Sequence, residues 1–134
     1  MTNDFWNSRF SKPGYAYGTE PNAFLASQKH HLMPGLKALA VGDGEGRNGV
    51  WLAQQGLDVL SVDGSEVGLR KAQELAKSRG VSIGTELADL TTWKWPEHEF
   101  DIVVAIFIHF LPEHRTRLHD MMLRALKPGG VLTI

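Results

Sequence analysis

The stretch that decides the fold is Ala38-Leu39-Ala40-Val41-Gly42-Asp43-Gly44-Glu45-Gly46-Arg47-Asn48-Gly49. A short apolar run is followed by glycines at alternate positions and then by the pattern of a helix over 47–55. Glycine lets a backbone approach a ligand closely, and the N-terminus of the next helix presents N–H groups to it. The stretch therefore predicts a strand, a ligand-binding loop and a helix, in that order.

Strand and helix patterns alternate along the rest of the chain. Strands are predicted at 38–42, 57–62, 81–86, 101–107 and 131–134, and helices at 47–55, 65–79 and 113–126, with a loop through 99. The fourth strand is continuously apolar, which is typical of a parallel sheet covered by helices on both faces. This order implies right-handed crossovers and an α/β fold built as a three-layer sandwich.

The length and composition of the chain limit its number of domains and its possible partners. With 134 residues, we predict a single domain, in which 1–35 form an N-terminal arm with a helix at 20–32 and 36–134 form a ligand-binding core. The formal net charge of −1 argues against a nucleic-acid or anionic-membrane partner. The chain has no cysteine and no apolar run long enough to cross a membrane, so we expect a cytoplasmic protein.

An acidic residue at the end of the second predicted strand strengthens the loop assignment. Asp63 lies 21 residues after Gly42. An acid at about this distance, at the end of the next strand, accepts hydrogen bonds from ribose hydroxyls in nucleotide-binding folds. Asp63 also precedes a predicted helix, so a role at the N-terminus of that helix is the alternative.

Motifs spread over nearly the whole chain resemble those of class I S-adenosylmethionine-dependent methyltransferases. They are the glycine loop ending in Gly46-Arg47-Asn48, Val62-Asp63, Ala88-Asp89-Leu90, Phe100-Asp101-Ile102-Val103, Phe110-Leu111-Pro112 and Lys127-Pro128-Gly129-Gly130. The loop ending and Phe-Leu-Pro are similar to the bacterial tellurite-resistance and small-molecule group, as are the arm motifs around Trp6 and Tyr17. The family often has an acid where Ala40 stands, and Asp43 and Glu45 are candidates to supply that charge.

The resemblance implies a Rossmann-like, mostly parallel sheet of strand order 3-2-1-4-5. Related proteins have seven strands and five are readable here, so we expect a chain truncated after strand 5 and a homo-oligomer formed through that exposed strand. The implied cofactor is S-adenosylmethionine and the implied partner a small-molecule methyl acceptor. The implied cofactor-binding residues are Gly42, Asp43, Gly44, Glu45, Gly46, Arg47, Asp63, Gly64, Ser65, Ala88, Asp89, Leu90 and Ile106.

The candidate catalytic residues lie after the fourth strand and in the arm. In this family the position after strand four faces the transferred methyl, which makes His109 the candidate base or acceptor-positioning residue. Tyr17 and Arg9 are candidates to close over the acceptor and exclude water, and Arg9 to bind an anionic one. The structural alternatives are a packing or capping role for His109 and a salt bridge for Arg9.

Other chemistries have weaker support. His109, His114 and His119 are five residues apart and do not share a helix face, so we predict no metal site. An NAD(P)-dependent oxidoreductase is the enzyme alternative, although the loop is Gly-x-Gly-x-Gly instead of Gly-x-Gly-x-x-Gly. A cofactor-binding fragment or association module without catalysis is the other alternative.

Overall fold

The computed structural model describes residues 4–106 and 111–134. Its elements follow the chain in this order: α1 (Asp4–Phe10), α2 (Ala23–Ser27), a 3₁₀ turn (Lys29–His31), β1 (Lys37–Val41), α3 (Arg47–Gln54), β2 (Asp58–Asp63), α4 (Glu66–Ser78), β3 (Gly84–Leu87), β4 (Phe100–Val104), α5 (Pro112–Ala125) and β5 (Leu126–Thr133). The five strands pair in parallel in the order β3-β2-β1-β4-β5, which confirms the predicted topology.

Two apolar clusters cover the two faces of the sheet. On one face, Ala38 and Ala40 of β1 belong to the same buried cluster as the inner sides of α3 and α4. On the other face, Leu39 and Val41 of β1 pack with Leu118 and the rest of the inner side of α5. Alternate residues of one strand thus enter opposite cores, as the pleat requires, and the three-layer sandwich is confirmed.

Four predicted elements have wrong boundaries. The fourth strand ends at Val104 instead of 107. The helix expected at 20–32 begins only at Ala23, because the Asn22 side chain accepts the N–H groups of Phe24 and Leu25, and it tightens into a 3₁₀ turn after Gln28. The third strand begins at Gly84 instead of 81, because Val81 N–H still bonds to Ala76 O at the end of α4.

The fifth strand begins at Leu126, before the Lys-Pro-Gly-Gly turn, and not at 131. Phe100 pairs with Leu126 and Ile102 pairs with Val131, so four residues of β5 bulge opposite one residue of β4. Gly129 takes the left-handed backbone (φ +82°) that this bulge needs. The Lys-Pro-Gly-Gly motif therefore lies inside the strand, and not ahead of it.

The glycine loop packs directly against α4. Gly46 ends the loop in a left-handed conformation (φ +89°), and a Cβ placed on it would lie 2.6 Å from the Cβ of Ala72. This close approach brings the N-terminus of α3 against the middle of α4. It thereby determines where the loop sits at the carboxyl ends of β1 and β2.

We expect Gly46→Ala to destabilise the fold more than Gly80→Ala. Both positions have positive φ, so each alanine costs about 1 kcal/mol of backbone strain. Only Gly46 lacks space, since Gly80 has no atom within 4 Å of its added Cβ, and overpacking adds about 1–3 kcal/mol. Urea unfolding of both variants measures the difference. Equal losses would show that the loop does not depend on this contact.

Candidate functional site

The loop after β1 and the end of β2 are joined by the Asp63 carboxylate. Its Oδ2 accepts the Gly44 N–H at 2.9 Å and its Oδ1 accepts the Ser65 N–H at 2.8 Å. Burial raises the pKa of Asp63, and the hydrogen bonds from Gly44, Ser65 and Gly64 oppose that rise. A carboxylate has about four lone-pair positions, so Asp63 keeps at least one for a hydrogen bond from a ligand.

Asp43 is used inside the protein. Its Oδ2 accepts the Ser61 hydroxyl at 2.9 Å, and both oxygens lie 3.2 Å from the Gly49 N–H in the first turn of α3. A Cβ on Gly49 would collide with this carboxylate, so the glycine makes room for it. Asp43 therefore anchors the loop to β2 and α3, and both of its carboxylate oxygens take part in those contacts.

The Glu45 side chain is committed to the arm and α4. It is 5% exposed, its Oε1 accepts the Ala16 N–H at 2.6 Å, and its Oε2 lies 3.0 Å from Lys71 Nζ. Both carboxylate oxygens of Glu45 are thus bonded to the arm and α4. The structure thus corrects the expectation that the Glu45 carboxylate supplies charge to a cofactor.

Ser65 is likewise committed, because it caps α4. Its hydroxyl accepts the Gly68 N–H at 3.0 Å and donates to Asn7 Oδ1 of α1 at 2.6 Å. The residue is fully buried. The Ser65 hydroxyl therefore bonds within the protein in this arrangement, and its role as a cofactor-binding residue stays a prediction.

The loop after β3 meets the end of β2 at the same edge of the sheet. Ala88 N–H bonds to Asp63 O at 3.0 Å, which places Ala88 and Asp63 side by side. Asp89 Oδ1 accepts both the N–H and the hydroxyl of Thr91, at 2.9 and 2.6 Å, and these bonds lower the pKa of Asp89. Leu90 is held by its carbonyl, which accepts the buried Trp95 indole N–H at 3.0 Å.

The arm brings two predicted catalytic residues to the start of α3. The Arg9 guanidinium lies 5.2 Å from the centre of the Tyr17 ring, and the Arg47 guanidinium lies 6.0 Å from the same ring. Tyr17 is half exposed. Ile106 is half-buried just beyond β4. His109 lies outside the described residues.

A cleft of about 230 Å³ opens within the arm beside this cluster. It is lined by Arg9, Lys12, Pro13, Tyr15 and Ala16. In residues 4–106 and 111–134, no three His, Asp or Glu side chains converge as a metal site would require. Within the same residues, no helix is both long and apolar enough to span a membrane.

The sequence matches the family model described as a methyltransferase domain over residues 38–130. The chain belongs to this family. The match runs from the buried start of β1 to the bulge in β5, so it contains the glycine loop, Asp63 and the loop after β3. It does not extend to the arm.

Individual relatives agree with this assignment. Phosphoethanolamine N-methyltransferase 1 of Arabidopsis thaliana is 31% identical over 80% of this chain and 22% of its own length. A solved structure concerned with the conversion of a disulfide bond into a thioacetal group during echinomycin biosynthesis is 26% identical, with a TM-score of 0.79 over 97% of this chain and 58% of that chain.

A TehB-like SAM-dependent methyltransferase from Corynebacterium glutamicum has the same fold. The TM-score is 0.68 at 24% identity, over 81% of this chain and 58% of that one. The chain spans only 37% of the length of the first curated relatives that it matches. The comparisons therefore concern the domain, and not the whole length of those proteins.

The motifs did not include Lys71, one of the residues that dock the arm. Asn7 and Asn48, which stand in the arm and loop motifs, also bond the arm to the domain core, but no motif contains Lys71. Lys71 precedes the buried Ala72 and follows buried Gly68 by one turn, so helical periodicity places it at the border of the inner face of α4. That position on the helix was the sequence signal from which a contact of Lys71 with the arm could have been predicted.

The stability of the protein should depend on pH through Asp43. Burial, opposed by the bonds from Ser61 and Gly49 and the charge of Arg47, raises its pKa to about 7, and the Asp63 charge adds to the rise. The folded protein therefore keeps a proton that the unfolded chain releases near pH 4, so the free energy of unfolding falls between about pH 4 and pH 7. In Asp43→Asn the amide can still bond to Ser61 and Gly49 without titrating.

We expect the Tm of Asp43→Asn to fall less than that of the unmodified protein between about pH 5 and pH 8. Differential scanning calorimetry across this range provides the measurement. Asp58→Asn, at the exposed start of β2, should retain the original pH dependence. Parallel curves for the unmodified protein and Asp43→Asn would contradict the assignment.

Proposed function

We propose that this domain binds S-adenosylmethionine at the carboxyl ends of β1, β2 and β3, and that the protein transfers its methyl group to a small molecule. The observation that carries the proposal is the Asp63 carboxylate, bonded to the Gly44 N–H at the ends of two neighbouring parallel strands. Membership of the methyltransferase-domain family supports the choice of cofactor. The name of the Arabidopsis relative supports a small acceptor.

The residues at the sheet edge fit the parts of this cofactor. Asp63 retains acceptor capacity for a ribose hydroxyl, and Ala88 and Asp89 lie beside it to meet the adenine. The start of α3, with its N–H groups and Arg47, suits a carboxylate. When bound, S-adenosylmethionine supplies an activated methyl group on a positively charged sulfur.

The chain's contribution to the reaction is then mainly to align the acceptor and to exclude water. We assign this task to Tyr17 and Arg9, which the arm holds beside the start of α3. We assign His109 to take the proton of an acceptor that must lose one, or to orient it. The cationic side chains of Arg9 and Lys12 line the arm cleft, which favours an anionic acceptor.

The narrower sequence-based expectations stay predictions. They are the tellurite-resistance subgroup, the cytoplasmic location, the single domain and association through β5. At that edge Val131 and Ile134 are 39% and 61% exposed, which is compatible with pairing to a further strand.

The proposal predicts that Asp63→Asn weakens binding of S-adenosylhomocysteine by about tenfold to a hundredfold, because a hydrogen bond to a charged acceptor is lost. Titration calorimetry gives the affinity, and a thermal melt without ligand separates binding from stability. The control is Asp58→Asn, on the exposed start of the same strand. Unchanged affinity in Asp63→Asn would remove Asp63 from the site.

A thermal shift with three ligands tests the function more broadly. S-adenosylmethionine and S-adenosylhomocysteine should raise the Tm, and NAD should not. A response to NAD alone would replace the proposal with a nicotinamide-dependent oxidoreductase. No response to any of the three would favour a domain that has lost cofactor binding.

A further inference from the structure

The ammonium group of Lys71 lies at a junction of three parts of the chain. Its Nζ donates to Lys12 O at 2.8 Å and to Gly14 O at 2.6 Å, both in the arm. Its third hydrogen bond goes to Glu45 Oε2 at 3.0 Å, in the glycine loop, and it also lies 5.5 Å from the centre of the Tyr15 ring. An ammonium group has three N–H donors, so this arrangement uses all of them.

Glu45 completes the junction from the loop side. Its other oxygen accepts the Ala16 N–H at 2.6 Å, so the pair holds carbonyls and an amide of one short arm segment. The side chain of Glu45 is 5% exposed and that of Lys71 is 17% exposed. A pair shielded from water to this degree is screened little by salt, and removal of one partner leaves the other with an uncompensated charge.

The rest of the arm is attached by separate contacts. Phe10 of α1 packs over Gly44 and Gly68, and Asn22 N–H bonds to Asn48 Oδ1 at 2.8 Å. Between these attachments, segment 12–16 is joined to the core through Lys71 and Glu45, with a longer bond of 3.4 Å from the Tyr15 hydroxyl to Lys71 O. Tyr17 follows this segment directly and Arg9 precedes it.

We propose that Glu45 and Lys71 are positioning residues that couple the arm to the cofactor loop. Their ion pair holds segment 12–16 against the loop, and this keeps Tyr17 and Arg9 beside Arg47 at the start of α3. Occupation of the loop and ordering of the arm are then linked, and each favours the other to the same extent. The proposal rests on the proposed function only for the identity of the ligand at the loop.

Hydrogen exchange of the arm tests the coupling in the full chain without ligand. In Lys71→Met, peptides covering 11–18 should exchange at least about tenfold faster, while peptides from β1 and β2 remain protected. Glu45→Gln/Lys71→Met removes both charges and so avoids an unpaired buried carboxylate, and it should show the same faster arm exchange. Lys71→Arg, which keeps the charge, should restore much of the protection.

Lys77→Met is the matched control, because Lys77 is exposed on the same helix. Its arm exchange should equal that of the unmodified protein. Unchanged exchange at 11–18 in both Lys71→Met and the double variant would overturn the proposal. A uniform rise across the whole chain would also overturn it, because it would show a general structural role instead of a local one.

S-adenosylhomocysteine provides the second measurement. It should slow exchange at 11–18 in the unmodified protein, and its affinity should fall by about tenfold in the double variant, with the Lys77→Met affinity unchanged. Affinity that is equal in all variants would refute the coupling. If the unmodified protein fails to bind this ligand, the proposed function fails, while the exchange result without ligand still decides whether the pair holds the arm.

Discussion

The glycine loop depends on carboxylates that accept its backbone N–H groups. Left-handed glycines at 42, 44 and 46 take the loop out of the regular hydrogen-bonding pattern of the sheet. The Asp63 carboxylate accepts the Gly44 N–H, and the Asp43 carboxylate accepts the Gly49 N–H in the first turn of α3. Burial raises the pKa of both acids, and their carboxylates supply the acceptors that the backbone N–H groups of the loop and of α3 need.

The two acids between the loop glycines serve opposite sides of the structure. Asp43 contacts Ser61 of the sheet, whereas Glu45 contacts the arm and α4. The loop consequently connects the sheet to the arm. Side chains that the motif assigned to a cofactor are therefore bonded within the protein, while Asp63 and the loop after β3 meet at the sheet edge.

Much of the fold follows from local pattern. The continuous apolar run of β4 predicted a buried parallel strand, and the glycine loop after β1 predicted the start of α3, since these signals depend on neighbours along the chain. The starts of β5 and α2 were missed. Both depend on pairing or capping in which backbone groups compete for partners, and residue type alone does not decide that competition.

The sequence by itself determined the class of fold, the strand order and the position of the loop, because periodicity, glycine spacing and family motifs are local in the chain. Only the tertiary structure decided which partners the side chains of Asp43 and Glu45 in that loop, and of Ser65 after β2, contact. Asp43, Glu45 and Ser65 have the same polar character in the sequence, but Ser61, Lys71 and Asn7 reach them from distant segments. A polar side chain acts on whichever partner the fold brings within hydrogen-bond distance, and the motif does not contain that information.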